Sequence, residues 1–405
     1  MAVVVQKFGG TSVAKPKLIQ NIAKRVVETQ QQNGNKLVVV ISAMGHTTDK
    51  LFSLAKSVSK NSYSREMDAL LSTGEQISSS LLAMAIQDLG QDSISLNGEQ
   101  AGILTEENYN KARILNINPK RIMHHLDEGK VVVIAGFQGI TKSGDITTLG
   151  RGGSDTTAVA VAGALKAGMC EIYTDVDGVF TADPNVVTNA KKLDEISYDE
   201  MVEFAILGAK VLHPRSVEYA KKNDIVVHVR SSFNNEVGTY VKSIETLQHK
   251  RDISGVAIDF NQAKLIVLGV PDSPLNIVKI FNSLAKADIN VDTIIQIPRD
   301  ETTNDIAFTV NSDDGEKAYS ITKKTAKLIN GKKVFYDNNI AKVSVVGAGM
   351  IDKPGIAADM FESIADAGIN IQLISTSDIK ISCIVKKDQA KLAASVIHDR
   401  FIINT

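Results

Sequence analysis

The sequence predicts an α/β protein: a mostly parallel central sheet covered by helices, followed by two copies of a small α+β unit. Three observations carry that prediction. Short Val- and Ile-rich runs alternate with helix-period segments up to about residue 230. Glycine clusters follow those runs, and a segment starting at Ala263 is echoed at Ala341. The runs Val3–Val5, Leu37–Ile41, Val131–Ala135, Ile172–Thr174 and Ile225–Val229 largely lack polar alternation, as strands buried on both faces do. Between them, Leu18/Ile19/Ile22/Val26 and Ile77/Leu81/Leu82/Met84/Ala85 recur at the spacing of one helix face. Helical crossovers between such strands give a parallel sheet, whose ligands sit at the strands' carboxyl ends.

At 405 residues the chain has room for two or three domains. Hydrophobic residues make up 43% and charged residues 22%, with 45 basic against 46 acidic, so there is no electrostatic footprint for nucleic acid. No apolar stretch reaches bilayer length, and no signal-peptide pattern precedes Ala2–Val5. The two cysteines, Cys170 and Cys383, lie in strand-like surroundings without C-x-x-C spacing and read as buried free thiols. A cytoplasmic protein is expected, acting on neither nucleic acid nor membrane.

The polar stretch around Asn234–Arg251 reads as a connector. After it, Ala263–Gly269 is echoed by Ala341–Gly347, Asp272-Ser273-Pro274 by Asp352-Lys353-Pro354, and Ala287–Asn290 by Ala367–Asn370. Each copy reads as strand, Pro-containing turn, helix (Ile277–Ala287; Ile356–Ala367) and strand (Val291–Ile295; Ile371–Ile374). Asp-x-Pro ahead of a helix gives a turn whose helix N-terminus suits an anion. The expected domains are 1–245, 263–340 and 341–405, joined by a strand from 250–262.

Four glycine-bearing clusters carry the chemistry. Lys7-Phe8-Gly9-Gly10-Thr11-Ser12 follows the first strand, with its lysine before the glycines rather than after them as in G-x-x-x-x-G-K-[ST]. Ser42–Thr48 (SAMGHTT) follows the second strand, and Thr73-Gly74-Glu75 is placed at a helix start. The richest cluster is Thr147–Thr157 (TTLGRGGSDTT), directly before the apolar helix Ala158–Leu165. There Gly152 and Gly153 permit close approach by a ligand. Ser154 or Asp155 is placed to cap the helix, and Arg151 adds a planar fork for a carboxylate or phosphate. Asp175 ends a strand, placed to orient lysines or a metal-bound nucleotide, while Lys7 and Lys210 are candidates for neutralising phosphate. The seven histidines show no metal-ligand spacing, and His46 and His213 read as structural.

In this order, KFGGTSV, SAMG-x-TT, TGE, TTLGRGGSDTTA, Y-T-DVDGV-(x)3-DP and GAKVLHPRS resemble the aspartokinases along the whole chain. The resemblance implies the amino-acid kinase fold followed by two ACT domains. It also implies transfer of the ATP γ-phosphoryl group to the β-carboxylate of L-aspartate, early in lysine, threonine and methionine synthesis. By motif, Lys7, Asp175 and Lys210 form the catalytic set. Lys7, Phe8, Gly9, Gly10, Thr174, Asp175, Lys210 and Val211 meet ATP, with Asp175 holding the lysines. Ser42, Thr47, Glu75, Arg151, Gly152, Gly153, Ser154 and Asp155 border the aspartate, Glu75 taking its ammonium and Arg151 its α-carboxylate. Mg²⁺ arrives with ATP, and no metal site of the protein's own is expected.

The resemblance further implies inhibition by lysine, threonine or both through the ACT domains, and a homodimer or homotetramer formed through them. An amino-acid effector needs a carboxylate site and an ammonium site. The turn N–H groups before the Ile277 helix offer the first, and Asp272, Asp292 or Gln296 the second, with Asn290 and Asn370 completing the set. Phe180 and Asn185 stand where some relatives have Tyr and Arg near the nucleotide. The first repeat reads Pro274-Leu275 where the second keeps Pro354-Gly355, so the two are not equivalent. A non-catalytic amino-acid sensor and a kinase for another amino acid such as glutamate remain open at this point.

Overall fold

The computed structural model describes residues 2–61, 64–209, 211–249 and 251–403. The chain forms two compact units, one comprising Met1–Phe180 and Lys191–Lys250, the other Thr181–Ala190 and Arg251–Thr405.

The first unit contains β1 (Val3–Phe8), α1 (Pro16–Asn33), β2 (Lys36–Ile41), α2 (Thr47–Val58), α3 (Ser64–Gln87), β3 (Ser93–Leu96), β4 (Ile103–Thr105), β5 (Ile114–Ile117), α4 (Lys120–Asp127), β6 (Val131–Ala135), β7 (Gln138–Ile140) and β8 (Ile146–Thr148). It continues with α5 (Gly153–Ala164), β9 (Met169–Thr174), β10 (Glu195–Ser197), α6 (Tyr198–Ile206), α7 (Pro214–Asn223), β11 (Val227–Ser231) and β12 (Thr239–Lys242). The main sheet runs β10-β12-β11-β9-β1-β2-β6-β3, parallel throughout except for β11 against β12. A smaller sheet runs β5-β4-β7-β8. β2 and β6 are buried almost end to end, which is why they read as unbroken apolar runs. Because β1, β2, β6, β9 and β11 point the same way, the loops after Phe8, Ile41, Ala135, Thr174 and Ser231 share one edge of the sheet.

Two readings of this unit need correction. In α3, Ile77, Leu81 and Met84 are exposed, while Leu71, Ser78, Ser79, Leu82, Ala83 and Ile86 are buried. The helix period is right, but three of the five residues read as its inner face point outward and only Leu82 is buried, because α3 turns hydrogen-bonding serines and carboxylates inward. The stretch read as a connector also contains β12, which pairs with β10 and β11. Its alternation is short: Thr239 and Val241 are buried, and Tyr240 and Lys242, which alternate with them, are half-buried.

The second unit contains β13 (Gly255–Pro271), α8 (Pro274–Ala285), β14 (Val291–Pro298), β15 (Thr303–Val310), α9 (Ser312–Leu328), β16 (Lys333–Val346), α10 (Ile356–Asp366), β17 (Leu373–Ser377), β18 (Lys380–Lys386) and α11 (Ala390–His398). They form one sheet in the order β14-β15-β13-β16-β18-β17. β13 and β16 run through both halves: Gly255–Asp259 pairs with Lys342–Val346, and Gln262–Leu268 with Lys333–Ile340. Each repeat keeps its own core, Leu265/Ile280/Phe308 in one and Val343/Met360/Ile397 in the other. α8 starts at Pro274, earlier than Ile277, because the fixed φ of proline suits a first helical turn. The strand expected at Ile371 starts at Leu373.

Thr181–Ala190 lies outside the fold its sequence neighbours belong to. Ala182 and Val187 are buried in the same core as Val256, Met360 and Ile397. Val256 N donates to Thr181 O at 2.7 Å.

Candidate active site

Parallel pairing delivers three loops to the end of β1. Gly9 N donates to Tyr173 O at 3.3 Å, Ser42 N to Phe8 O at 3.1 Å, and Gly45 N to Gly10 O at 3.0 Å. The Gly9-Gly10 turn is thus tied to the end of β9 on one side and to the Ser42–Gly45 loop on the other. Lys7, the penultimate residue of β1, is only 8% exposed. Its Nζ lies 2.6 Å from Asp155 Oδ1, in the first turn of α5. Asp155 gains there from the positive end of the helix dipole.

Asp155 is therefore the carboxylate on Lys7, in place of Asp175. The register explains this. Lys7 pairs with Ile172, and Asp175 stands past the end of β9 on the opposite parity. Asp175 is exposed and accepts a hydrogen bond from Thr174 Oγ1 at 3.1 Å. Lys210 lies outside the described residues; Val211, beside it, is partly buried. The Phe8 ring is fully buried and stacks on Tyr173 with centroids 4.7 Å apart, leaving only its backbone for a ligand.

The cap of α5 also differs from expectation. Gly152, in the left-handed region at φ 68°, is the N-cap residue, and neither Ser154 nor Asp155 caps with its side chain. A Cβ on Gly152 would stand 2.2 Å from His213 Cγ, so the loop closes on that ring. His213 in turn caps α7, its Nδ1 accepting from Arg215 N at 3.4 Å, and burial lowers its pKa. Arg215 fixes the same loop by donating to Leu149 O at 2.9 Å. Gly153 and Ser154 are buried, while Arg151 is exposed at the tip of the turn.

Thr73-Gly74-Glu75 sits in the middle of α3, not at a helix start. The glycine is there for close approach: a Cβ would come within 2.9 Å of Ala43 Cβ. This brings α3 onto the Ser42 loop, where Ser78 Oγ donates to Ser42 O at 2.8 Å and Ala43 N donates to Glu75 Oε1 at 3.1 Å. Thr47 opens α2, its Oγ1 donating to Met44 O at 2.6 Å. Glu75 is 3% exposed, and burial pushes its pKa up to about 7. Its Oε2 has no hydrogen-bond partner, which marks a buried acceptor suited to a cationic group.

The sequence reading missed Asp68, fully buried on α3 two helical turns before Glu75, and gave no role to Tyr173, whose buried ring stacks on Phe8. Asp68 carried no local signal, because its partners, Asn110 and Thr148, are distant in sequence.

In the second unit, Asp272 Oδ1 accepts from Asn304 Nδ2 at 2.9 Å. Asp292 forms an ion pair with Lys342, which is only 4% exposed. The equivalent lysine of the other repeat, Lys264, donates to Gln372, so the two contacts are reciprocal. Asn290, Gln296 and Asn370 are exposed. Cys170 and Cys383 are free and buried. Among the described residues, metal-ligand chemistry gathers at His124, His125 and Glu128 on and after α4, where Lys130 already donates to Glu128 at 2.8 Å. No helix of the described residues is long and apolar enough to cross a membrane.

The chain resembles known proteins over almost its whole length. The amino acid kinase family matches residues 2–231, and the ACT domain matches residues 343–401. The aspartokinase of Bacillus sp. (strain MGA3) is 50% identical over 401 residues, spanning 99% of this chain and 97% of its own. The structure of E. coli aspartokinase III in complex with aspartate and ADP (R-state) gives a TM-score of 0.82 at 25% identity, over 98% of this chain and 99% of that one. The same enzyme in complex with lysine and aspartate (T-state) gives 0.78 at 25% identity, over 99% of each chain. Half of the residues and the full length are shared with a relative whose name is aspartokinase, and the loops that would carry the chemistry converge on Lys7; the chain belongs to the aspartokinases, within the amino acid kinase family.

Proposed function

We propose that the chain transfers the γ-phosphoryl group of ATP to the β-carboxylate of L-aspartate, giving 4-phospho-L-aspartate and ADP, as the first step toward lysine, threonine and methionine. The observation that carries this reading is the buried Lys7, held by Asp155 between two glycine loops at the carboxyl edge of the sheet. The complex of E. coli aspartokinase III with aspartate and ADP supports it.

A β-carboxylate, with a reference pKa of about 4, is ionised at neutral pH and attacks without a general base. The site's task is positioning and positive charge. Lys7 supplies a desolvated ammonium beside the transferring group. The Gly9-Gly10 turn lets backbone N–H groups approach phosphate, with Thr174, Asp175, Lys210 and Val211 around the nucleotide. Glu75, through its unpartnered Oε2, takes the ammonium of aspartate, and Arg151 takes the α-carboxylate. Ser42, Thr47, Gly152, Gly153 and Ser154 border the acceptor. Asp155 holds Lys7 and gives the ammonium up in part as phosphate arrives. Mg²⁺, brought by ATP as part of that substrate, would offset negative charge on the transferring group, and no residue of the chain is assigned to hold it.

In this reading residues 1–245 are catalytic apart from Thr181–Ala190, which packs in the core of the second unit, while 263–340 and 341–405, with the strand from 250–262, are regulatory ACT domains. Lysine, threonine or both inhibit there, as the lysine complex of E. coli aspartokinase III suggests. Asp272, Asn290, Asp292, Gln296 and Asn370 line the effector pocket, and an effector ammonium at Asp292 must displace Lys342. β14 and β17 are the sheet's edge strands and expose Ile294, Ile297 and Ile374, which favours a homodimer or homotetramer through the ACT domains. The enzyme works in the cytoplasm, where ATP and aspartate are supplied. The test is ADP formation from Mg-ATP with L-aspartate or L-glutamate, with and without lysine, threonine and their mixture. Aspartate-dependent, effector-sensitive turnover supports the reading; glutamate turnover at equal efficiency contradicts it.

A further inference from the structure

Asp68 is a carboxylate with 0% exposure inside α3, and it accepts hydrogen bonds from two segments that flank the Gly150–Gly153 turn. Its Oδ2 accepts from Thr148 N at 2.8 Å and from Asn110 N at 2.9 Å, and its Oδ1 from Thr148 Oγ1 at 2.8 Å. Thr148 is the last residue of β8, so the carboxylate grips the chain where it enters the turn. Asn110 supports the turn from the other side. Its backbone is left-handed at φ 67°, and its carbonyl oxygen would lie 2.9 Å from a Cβ on Gly150. One carboxylate thus gathers both walls of the turn that presents Arg151.

An apolar side chain would fill this space at lower cost, since burying a carboxylate carries a desolvation penalty of several kcal/mol. What a carboxylate adds is geometry: two oxygens fix three donors from two separate segments. Burial pulls its pKa upward and the three hydrogen bonds pull it back. Seven residues on, two helical turns and about 10 Å along the axis, the same helix carries Glu75. A single rigid element therefore sets the spacing between Glu75 and the turn bearing Arg151.

We infer that Asp68 is a positioning residue for the acceptor amino acid, fixing the Arg151 turn at a set distance from Glu75. The inference rests on the reading of Arg151 and Glu75 as the partners of the acceptor's α-carboxylate and ammonium. It predicts selectivity. Loosening the turn weakens the grip on an α-amino acid while leaving the nucleotide untouched, whereas a merely structural role would lower kcat and stability and raise both KM values together.

The experiment measures kcat, KM for aspartate, KM for ATP and Tm in Asp68→Asn, Thr148→Val and Arg151→Ala. Asp68→Asn turns an acceptor into a donor facing N–H groups, and the expected rise in KM for aspartate is about tenfold. Thr148→Val removes only the hydroxyl bond and should raise it about threefold. In both, KM for ATP should stay within about twofold of wild type, as befits a group acting only on acceptor binding. If Asp68→Asn fails to fold, Thr148→Val decides alone. If Arg151→Ala raises KM for aspartate but neither other variant does, or both KM values move together, Asp68 is not a positioning residue. If Arg151→Ala leaves KM for aspartate unchanged, the reading of the acceptor site falls, and this inference with it.

Discussion

Glu75 gives the site a pH dependence that can be worked out in advance. Burial raises its pKa to about 7, and its Oε2 is unpartnered. Aspartate keeps its ammonium and both carboxylates charged between pH 6 and 8, so over that range Glu75 decides whether the ammonium meets a charge. With a pKa of about 7, about one tenth of Glu75 is ionised at pH 6 and about nine tenths at pH 8. At saturating ATP, kcat/KM for aspartate should therefore rise about tenfold across that interval, since this ratio reports the free enzyme. The sign for stability is opposite. The folded state holds a proton that the unfolded chain loses near pH 4.5, so this contribution to stability is lost as pH rises from there through about 7. Glu75→Gln should flatten the kcat/KM profile and lower its pH 8 value by about thirtyfold, the cost of removing a charge-assisted bond. The assay is initial-rate ADP formation at varied aspartate in buffers of equal ionic strength. A flat wild-type profile, or an unchanged slope in Glu75→Gln, would refute the reasoning.

Three further outcomes are expected. Lys7→Ala should lower kcat about a thousandfold while leaving circular dichroism and Tm near wild type; activity within tenfold would remove Lys7 from the chemistry. Gly152→Ala places a Cβ 2.2 Å from His213 Cγ at a left-handed φ, and the backbone strain of about 1–2 kcal/mol should lower Tm by a few degrees and raise KM for aspartate. Asp292→Asn should relieve inhibition by lysine or threonine with kcat unchanged, at a stability cost of about 2 kcal/mol because the buried Lys342 loses its counter-charge. Inhibition curves that overlay wild type would exclude Asp292 from the effector site.

The parts of the fold legible in the sequence are those with a local cause. β2 and β6 are unbroken apolar runs because both faces are covered, and α1 shows its period because its inner face is wholly apolar. In α3 the inner face is half polar, so the visible apolar stripe was mostly the exposed one. The glycine loops were legible as loops, and their convergence followed from parallel strands. What the sequence could not reveal was pairing at a distance. Lys7 takes Asp155 because register and helix position bring them together, although Asp155 read as a cap of its own helix and Asp175 as the partner of the lysines. Asp68 and its donors are separated by 42 and 80 residues. The Thr181–Ala190 segment likewise gives no local sign of its partners, since its apolar residues are too few to form a pattern and are buried by strands from Gly255 onward.

The central claim is that Lys7, Glu75 and Arg151 together make an aspartate-specific phosphoryl-transfer site. It is tested most directly by forming the product in Mg-ATP with L-aspartate or L-glutamate and trapping the acyl phosphate with hydroxylamine. Aspartyl hydroxamate should accumulate in step with ADP in the wild-type protein, be lost in Lys7→Ala, and be absent with glutamate. ADP released without hydroxamate, or hydroxamate formed equally from both acids, would contradict the account.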